Sequence, residues 1–249
     1  MAKQSSLIKI EGTLDDLTFY KSADGYVIRK KGGVSKDKIL NDPAFARTRE
    51  NGKEFGQAAS SGKILRRAII DLLSEVKDPT VTRRLTKVMT QIKNEDSISE
   101  RGARNVAVGL TTPEGRAWLI GFDFNSEAPL NQVLRSDFDL DTATGEITIS
   151  NLRTAKKLAY PKGATHVSFI GAFLNVDFDT GESKIELSPI QNETISNTPV
   201  TVSLTPAGVP TGTGNQLFAM YIGFYQEING TQYQLNNGAF NTLTIIEML

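Results

Sequence analysis

The chain of 249 residues has no cysteine, one histidine and one tryptophan. Without cysteine, disulfide staples, thiolate catalysis and cysteine-ligated zinc are excluded. The lone histidine, His166, has no nucleophile motif such as Gly-x-Ser-x-Gly to serve as a base. No other stretch brings acid, base and nucleophile together, so we expect no enzyme, no catalytic residue, no cofactor and no metal. Long hydrophobic runs are missing as well: nothing approaches the roughly 20 apolar residues of a membrane span. Lys3, Lys9 and Glu11 interrupt the opening segment, which argues against a signal peptide. These absences predict a cytoplasmic protein at synthesis, with lysis as the way out for any particle it builds.

What is present is a charge polarity. Lys and Arg number 28, as do Asp and Glu, yet residues 1–125 carry 22 basic against 16 acidic side chains and residues 126–249 carry 6 against 12. The excess of the first part sits in residues 29–67, with eleven basic side chains, among them Arg29, Lys30, Lys31, Arg47 and Arg49, against four acids. Such a cluster suits phosphate. Base stacking needs interleaved aromatics, and this stretch has only Phe45 and Phe55. Any nucleic-acid contact would therefore be to the backbone and indifferent to sequence, and a solvated basic face or an ion-pair surface between subunits is the better match.

Residues 7–31 read as short strand-forming runs separated by Asp15-Asp16 and by a turn containing Asp24-Gly25, as in a β-meander. Asn41-Asp42-Pro43, Asp78-Pro79 and Thr112-Pro113 each join a capping side chain to a proline that has no N–H to orphan, which marks three helix starts. Phe55, Ala58, Leu65, Ile69, Leu72 and Val76 trace one apolar stripe, and Leu85, Val88, Met89 and Ile92 another, predicting two packed antiparallel helices. Residues 101–110 read as a further helix. Beyond residue 125 the pattern turns to β. Two related hairpins, at 138–149 and 176–187, and further strands at 165–175, 200–204, 216–227, 232–235 and 242–249 predict a sandwich. The fold class expected is α+β: an antiparallel β-meander plus helical bundle over 1–125, then an antiparallel β-sandwich over 126–249.

Two strands are apolar on both faces. Phe169 and Phe173 alternate with Ile170, Ala172 and Leu174, and Leu217, Tyr221 and Tyr225 alternate with Phe218, Met220 and Ile222. An antiparallel sheet with one wet face alternates apolar with polar. Either the helical part of the chain or a neighbouring subunit must cover the second face. Gly52, Gly56 and Ser60 lie four apart, forming either a small-residue helix face open to close approach or a set of helix breaks. Residues 56–64 resemble a phosphate-binding loop only superficially, since the glycine spacing is one residue too long and Ile64 stands where a hydroxyl is required. Asp137, Asp139 and Asp141 alternate like the start of a calcium loop but lack its glycine and its closing acid, so a role in capping the hairpin turn is the simpler reading.

The segment Asn41-Asp42-Pro43-Ala44-Phe45-Ala46-Arg47-Thr48-Arg49-Glu50-Asn51-Gly52, with Ile8-Lys9-Ile10-Glu11-Gly12-Thr13 before it and Phe224-Tyr225-Gln226-Glu227-Ile228-Asn229-Gly230 near the end, resembles a family of uncharacterised bacterial proteins. The resemblance touches both halves and implies no activity, cofactor or site residue. The expectation from the residues is a non-enzymatic structural protein that self-assembles head-to-tail into a filament, tube or ring, cellular or virus-like. Its subunit contacts would draw on Arg29, Lys30, Lys31, Arg47, Arg49, Gly52 and Gly56, and on Phe169, Phe173, Leu217, Tyr221 and Tyr225. The alternatives are an intracellular β-sandwich binding module and a sequence-nonspecific nucleic-acid-binding protein.

Overall fold

The computed structural model describes every residue except Met1, Ser6, Ala23 and Lys31. The chain divides into two compact units, Met1–Arg49 and Glu50–Leu249.

In the first unit, strands β1 (Ala2–Lys3), β2 (Gly12–Leu14), β3 (Leu17–Ser22) and β4 (Gly25–Lys30) form an antiparallel sheet in the order β1-β4-β3-β2. Leu14 pairs with Leu17 across the Asp15-Asp16 turn, where Asp15 takes a left-handed φ of 48° that an aspartate tolerates better than most residues. Helix α1 (Lys36–Asn41) follows, capped by the Ser35 hydroxyl, which accepts from the Lys38 N–H. Asp42 then caps a 3-10 turn with Pro43 in its first position, as its sequence predicts.

Helix α2 (Ala46–Ala68) runs without interruption through Gly52, Gly56 and Ser60, so these residues do not break it. The helix ends at Ala68, and after Ile69 a short α3 (Ile70–Ser74) completes the expected apolar segment. Phe55, the first member of the expected stripe, points outward and is 56% exposed, whereas Ala58, Leu65, Ile69 and Leu72 are buried. Asp78 accepts from the Thr80 N–H ahead of α4 (Val81–Asn94). Of the helix expected over 101–110 only α5 (Val106–Gly109) forms, and α6 (Pro113–Ala117) is capped by Thr112.

The remaining elements are α7 (Leu130–Val133), β5 (Asp139–Asp141), β6 (Glu146–Leu152), α8 (Thr154–Lys157), β7 (His166–Val176), β8 (Ser183–Leu187), β9 (Gln191–Thr194), β10 (Val200–Leu204), β11 (Asn215–Ile228), β12 (Thr231–Gln234) and β13 (Thr242–Met248). Strands β7 and β11 pair centrally. The free side of β11 receives β12 and β13, and that of β7 receives β8 and β9. A smaller sheet has the order β10-β6-β5. The turn between β11 and β12 holds Asn229 and Gly230 at φ 52° and 78°, the conformation the Asn-Gly pair signals. Asn192 on β9 donates to Gln232 on β12 although β7 and β11 lie between them in pairing order, so the large sheet must curl at this end.

Both faces of the β7–β11 pair are covered from within the unit. Ala172, Leu174, Leu217, Ala219 and Tyr221 share a core with α2, α3 and α4 through Ala58, Leu65, Leu72, Leu85 and Met89. Val167, Phe169, Met220, Ile222 and Phe224 share the other with Ile147 and Ile149 of β6 and Val202 and Leu204 of β10. One core thus joins side chains from both sides of residue 125, so the chain does not pack as separate 1–125 and 126–249 domains. The fold is α+β as expected, a small N-terminal sheet and helices followed by antiparallel sheet, with side chains of α2, α3 and α4 packed on one face of the large sheet.

Close approaches in this layering depend on missing side chains. A Cβ on Gly109 would lie 2.0 Å from the Ile92 carbonyl oxygen, because α5 rests directly on the backbone of α4. Gly109→Ala should therefore destabilise the protein by about 3 kcal/mol, the upper end for overpacking. Gly52→Ala meets nothing within 4 Å and should raise stability by about 0.5–1 kcal/mol through helix propensity. Denaturant titration of both variants checks the contrast.

Candidate functional site

The residues expected to meet a partner fall into different settings. Arg29 and Lys30 are exposed on β4, with the Arg29 guanidinium 5.6 Å from the centre of the Tyr20 ring. Lys31 lies outside the described residues. Arg47 is exposed at the start of α2, whereas Arg49 donates through Nη1 to the Ile39 and Asp42 carbonyls at 2.8 and 2.9 Å and braces the turn after α1. Gly52 and Gly56 leave open space where a side chain would project.

Phe169, Phe173, Leu217 and Tyr221 are buried in the chain's own layers, and Tyr225 is half-buried with its hydroxyl 3.4 Å from that of Tyr221. This enclosure corrects the assignment of Phe169, Phe173, Leu217 and Tyr221 as subunit contacts. Their two-sided apolarity is satisfied by helices on one face and the small sheet on the other. Burial pushes the Tyr221 phenol far above its usual pKa, with the Tyr225 hydroxyl adding to it, so it stays neutral.

Of the alternating aspartates, Asp141 does cap the β5–β6 turn. It accepts from the Ala143 N–H at 2.9 Å and the Thr144 hydroxyl at 2.8 Å, and these bonds, the Thr144 bond foremost, hold its carboxyl below the usual range. Asp177 does the same for the β7–β8 turn, accepting from the Asp179 and Thr180 N–H groups. His166 is held between the Thr165 hydroxyl at Nδ1 and Glu227 at Nε2.

Two buried acids organise the helical layer. Glu54 pairs with Lys93 and also accepts from the Gly102 N–H at 2.8 Å. The Lys93 contact is the main cause that lowers the Glu54 pKa, against the opposing effect of burial. The Asp78 side chain is 3% exposed and accepts from the Thr80 N–H and hydroxyl, the Ser126 N–H and hydroxyl, and Arg84. Arg84 reaches on to the Asp123 carbonyl at 2.8 Å, so the start of α4 is tied to residues 123–126.

A groove of about 540 Å³ lies beside β13. Its apolar surface comes from Ile120, Leu130, Leu134, Phe138, Ile245 and Ile246, and its polar groups include Asp123, Asn131, Arg135 and Asp137. Residues 121–124 hydrogen-bond along the edge of β13, through Gly121 and Phe124 N–H groups donating to the Ile245 and Leu243 carbonyls. Asp123 Oδ1 accepts from the Leu130 N–H at 2.9 Å and from the Thr244 hydroxyl. These side chains come from residues 120–138 and 244–246, over a hundred positions apart, and no spacing pattern in the sequence announces them.

No family model matches the chain, and neither the curated proteins nor the solved structures contain a significant match. Among the described residues no helix is long and apolar enough to cross a membrane.

Burial acts to raise the Asp78 pKa, but the hydrogen bonds from Thr80, Ser126 and Arg84 outweigh it and hold the carboxyl well below the usual aspartate range. A carboxyl depressed by folding stabilises the protein above its unfolded pKa, and that contribution is lost as pH falls toward the folded value. Asp78→Asn should therefore cost about 2 kcal/mol at neutral pH, with the difference from the unmodified chain shrinking below about pH 4. Denaturant midpoints across pH 2–7 measure it.

Proposed function

We propose that this chain is a non-enzymatic structural protein that assembles with copies of itself, and that Met1–Arg49 supplies the contact. The observation that carries this reading is the small sheet of that unit. Strand pairing aligns Leu14 with Leu17, Phe19 with Ile28 and Lys21 with Tyr26, which sets Leu14, Leu17, Phe19, Tyr26 and Ile28 on one face together with Lys21 and Lys30. Leu14 and Leu17 are 66% and 41% exposed. A small sheet depends on covering its apolar face, and an apolar patch left in water is a typical contact surface.

Charge supports the same reading. Met1–Arg49 carries ten basic and six acidic side chains, and Glu50–Leu249 carries 18 and 22. Contact between the basic unit of one copy and the acidic remainder of the next is heterologous, giving a ring if the rotation closes and a filament or tube if it does not. Coulomb attraction orients the encounter, and apolar burial supplies most of the affinity. Part of the basic cluster is engaged within the fold, Arg49 by carbonyls and Arg29 by the Tyr20 ring, which weakens the case for a nucleic-acid backbone as partner. The groove beside β13 favours a second reading, a binding module, and the two readings are compatible.

Sedimentation velocity of the full chain across protein concentration and salt tests the assembly. The expected outcome is oligomers that grow with concentration and shrink as salt rises. Leu17→Glu, which places a carboxylate opposite Lys30, should yield monomers that keep the folded Glu50–Leu249 core. A chain that stays monomeric at high concentration and low salt contradicts the proposal.

A further inference from the structure

The groove beside β13 has the volume and lining of a small-molecule site. Such sites occupy roughly 300–1,000 Å³, with apolar walls and a few polar groups that fix orientation. Here the walls are built by Ile120, Leu134, Phe138 and Ile246, and the groove measures about 540 Å³.

The polar groups decide what fits. Asp123 is half-buried, and its Oδ1 is fixed by two donors, the Leu130 N–H and the Thr244 hydroxyl. These contacts set the rotamer of the carboxylate before any ligand arrives. Its Oδ2 accepts no hydrogen bond among the described residues, so Asp123 brings to the groove lining a carboxylate oxygen with unused acceptor capacity. Asp137 adds a second carboxylate to the lining, but it is exposed like Arg135, so these two charges roughly offset and the half-buried Asp123 decides the balance. The one cation there, Arg135, is exposed and forms no ion pair among the described residues, so water and salt screen its charge more than that of the half-buried Asp123. The balance favours a positive group.

We infer that this groove binds a small apolar molecule bearing a primary ammonium group, with the apolar body on Phe138, Ile246 and Ile120 and the ammonium donating to Asp123 Oδ2. The inference stands apart from the assembly reading, since the groove lies wholly within Glu50–Leu249.

The test compares 4-phenylbutylamine, 4-phenylbutan-1-ol and 4-phenylbutyrate, which share a body and differ in head group. They are titrated into the ¹⁵N-labelled full chain and followed by the amide shifts of Gly121, Ser136 and Ile246. The amine should bind about tenfold more tightly than the alcohol, as a charge-assisted hydrogen bond implies, and the carboxylate most weakly. Asp123→Asn keeps a carbonyl oxygen for the Leu130 and Thr244 donors and should bring amine and alcohol to equal affinity. Ile120→Trp should fill the groove and weaken all three ligands. The inference is overturned if the head groups rank equally, if the carboxylate binds best, if the shifts fall elsewhere, or if no ligand binds at millimolar concentration. The ranking on the unmodified chain is decisive even if a variant fails to fold.

Discussion

Strands β7 and β11 pair over eleven registered positions, and the ribbon they form is apolar on both faces. Neither face can be left in water, since each large apolar side chain gains about 1.5–3 kcal/mol on burial. The helices answer one face and the β10-β6-β5 sheet the other. Gly171 shows how tightly the second layer is seated: a Cβ there would stand 3.0 Å from Leu204 Cβ. The turns, caps and buried ion pairs of Glu50–Leu249 hold these two covers in place. Asp78 fixes the start of α4 against residues 123–126, and Glu54 with Lys93 and Gly102 joins α2, α4 and the loop after it.

Much of this was legible in the residues because the signals were local. Asp42-Pro43 and Thr112-Pro113 cap the elements they announce, Asn229-Gly230 makes its hairpin, and Asp141 and Asp177 repeat one turn chemistry in two hairpins. The two-sided strands declared that a second cover exists, but periodicity carries no information about which atoms provide it. The helix over 101–110 shrank to one turn because Asp96 draws residues 98–105 into a loop by accepting from the Ile98, Ser99 and Asn105 N–H groups. Strand β9 went unread because Gln191-Asn192-Glu193-Thr194 is polar throughout and forms a strand only by pairing with β7. The groove beside β13 was invisible for a related reason: its walls come from the 120–138 segment and the last strand, brought together only by the fold.

Covering the central strands from within shifts the weight of the assembly reading. With Phe169, Phe173, Leu217 and Tyr221 enclosed, the apolar side chains left open include Leu7, Leu14, Leu17, Val34 and Leu40 in Met1–Arg49, and Phe55, Ile98 and Trp118 in Glu50–Leu249. The same unit holds the positive side of the charge polarity. An exposed apolar face and an opposite net charge on the rest of the chain are the two features on which the proposed assembly rests.

Hydrogen–deuterium exchange of the full chain at low and high protein concentration tests this account most directly. The amides of β7 and β11 should be strongly protected at both concentrations, because their cover belongs to the same chain, while those of β2 and β3 should gain protection only as concentration rises. Protection of β7 and β11 that depends on concentration, with β2 and β3 unaffected, would contradict it.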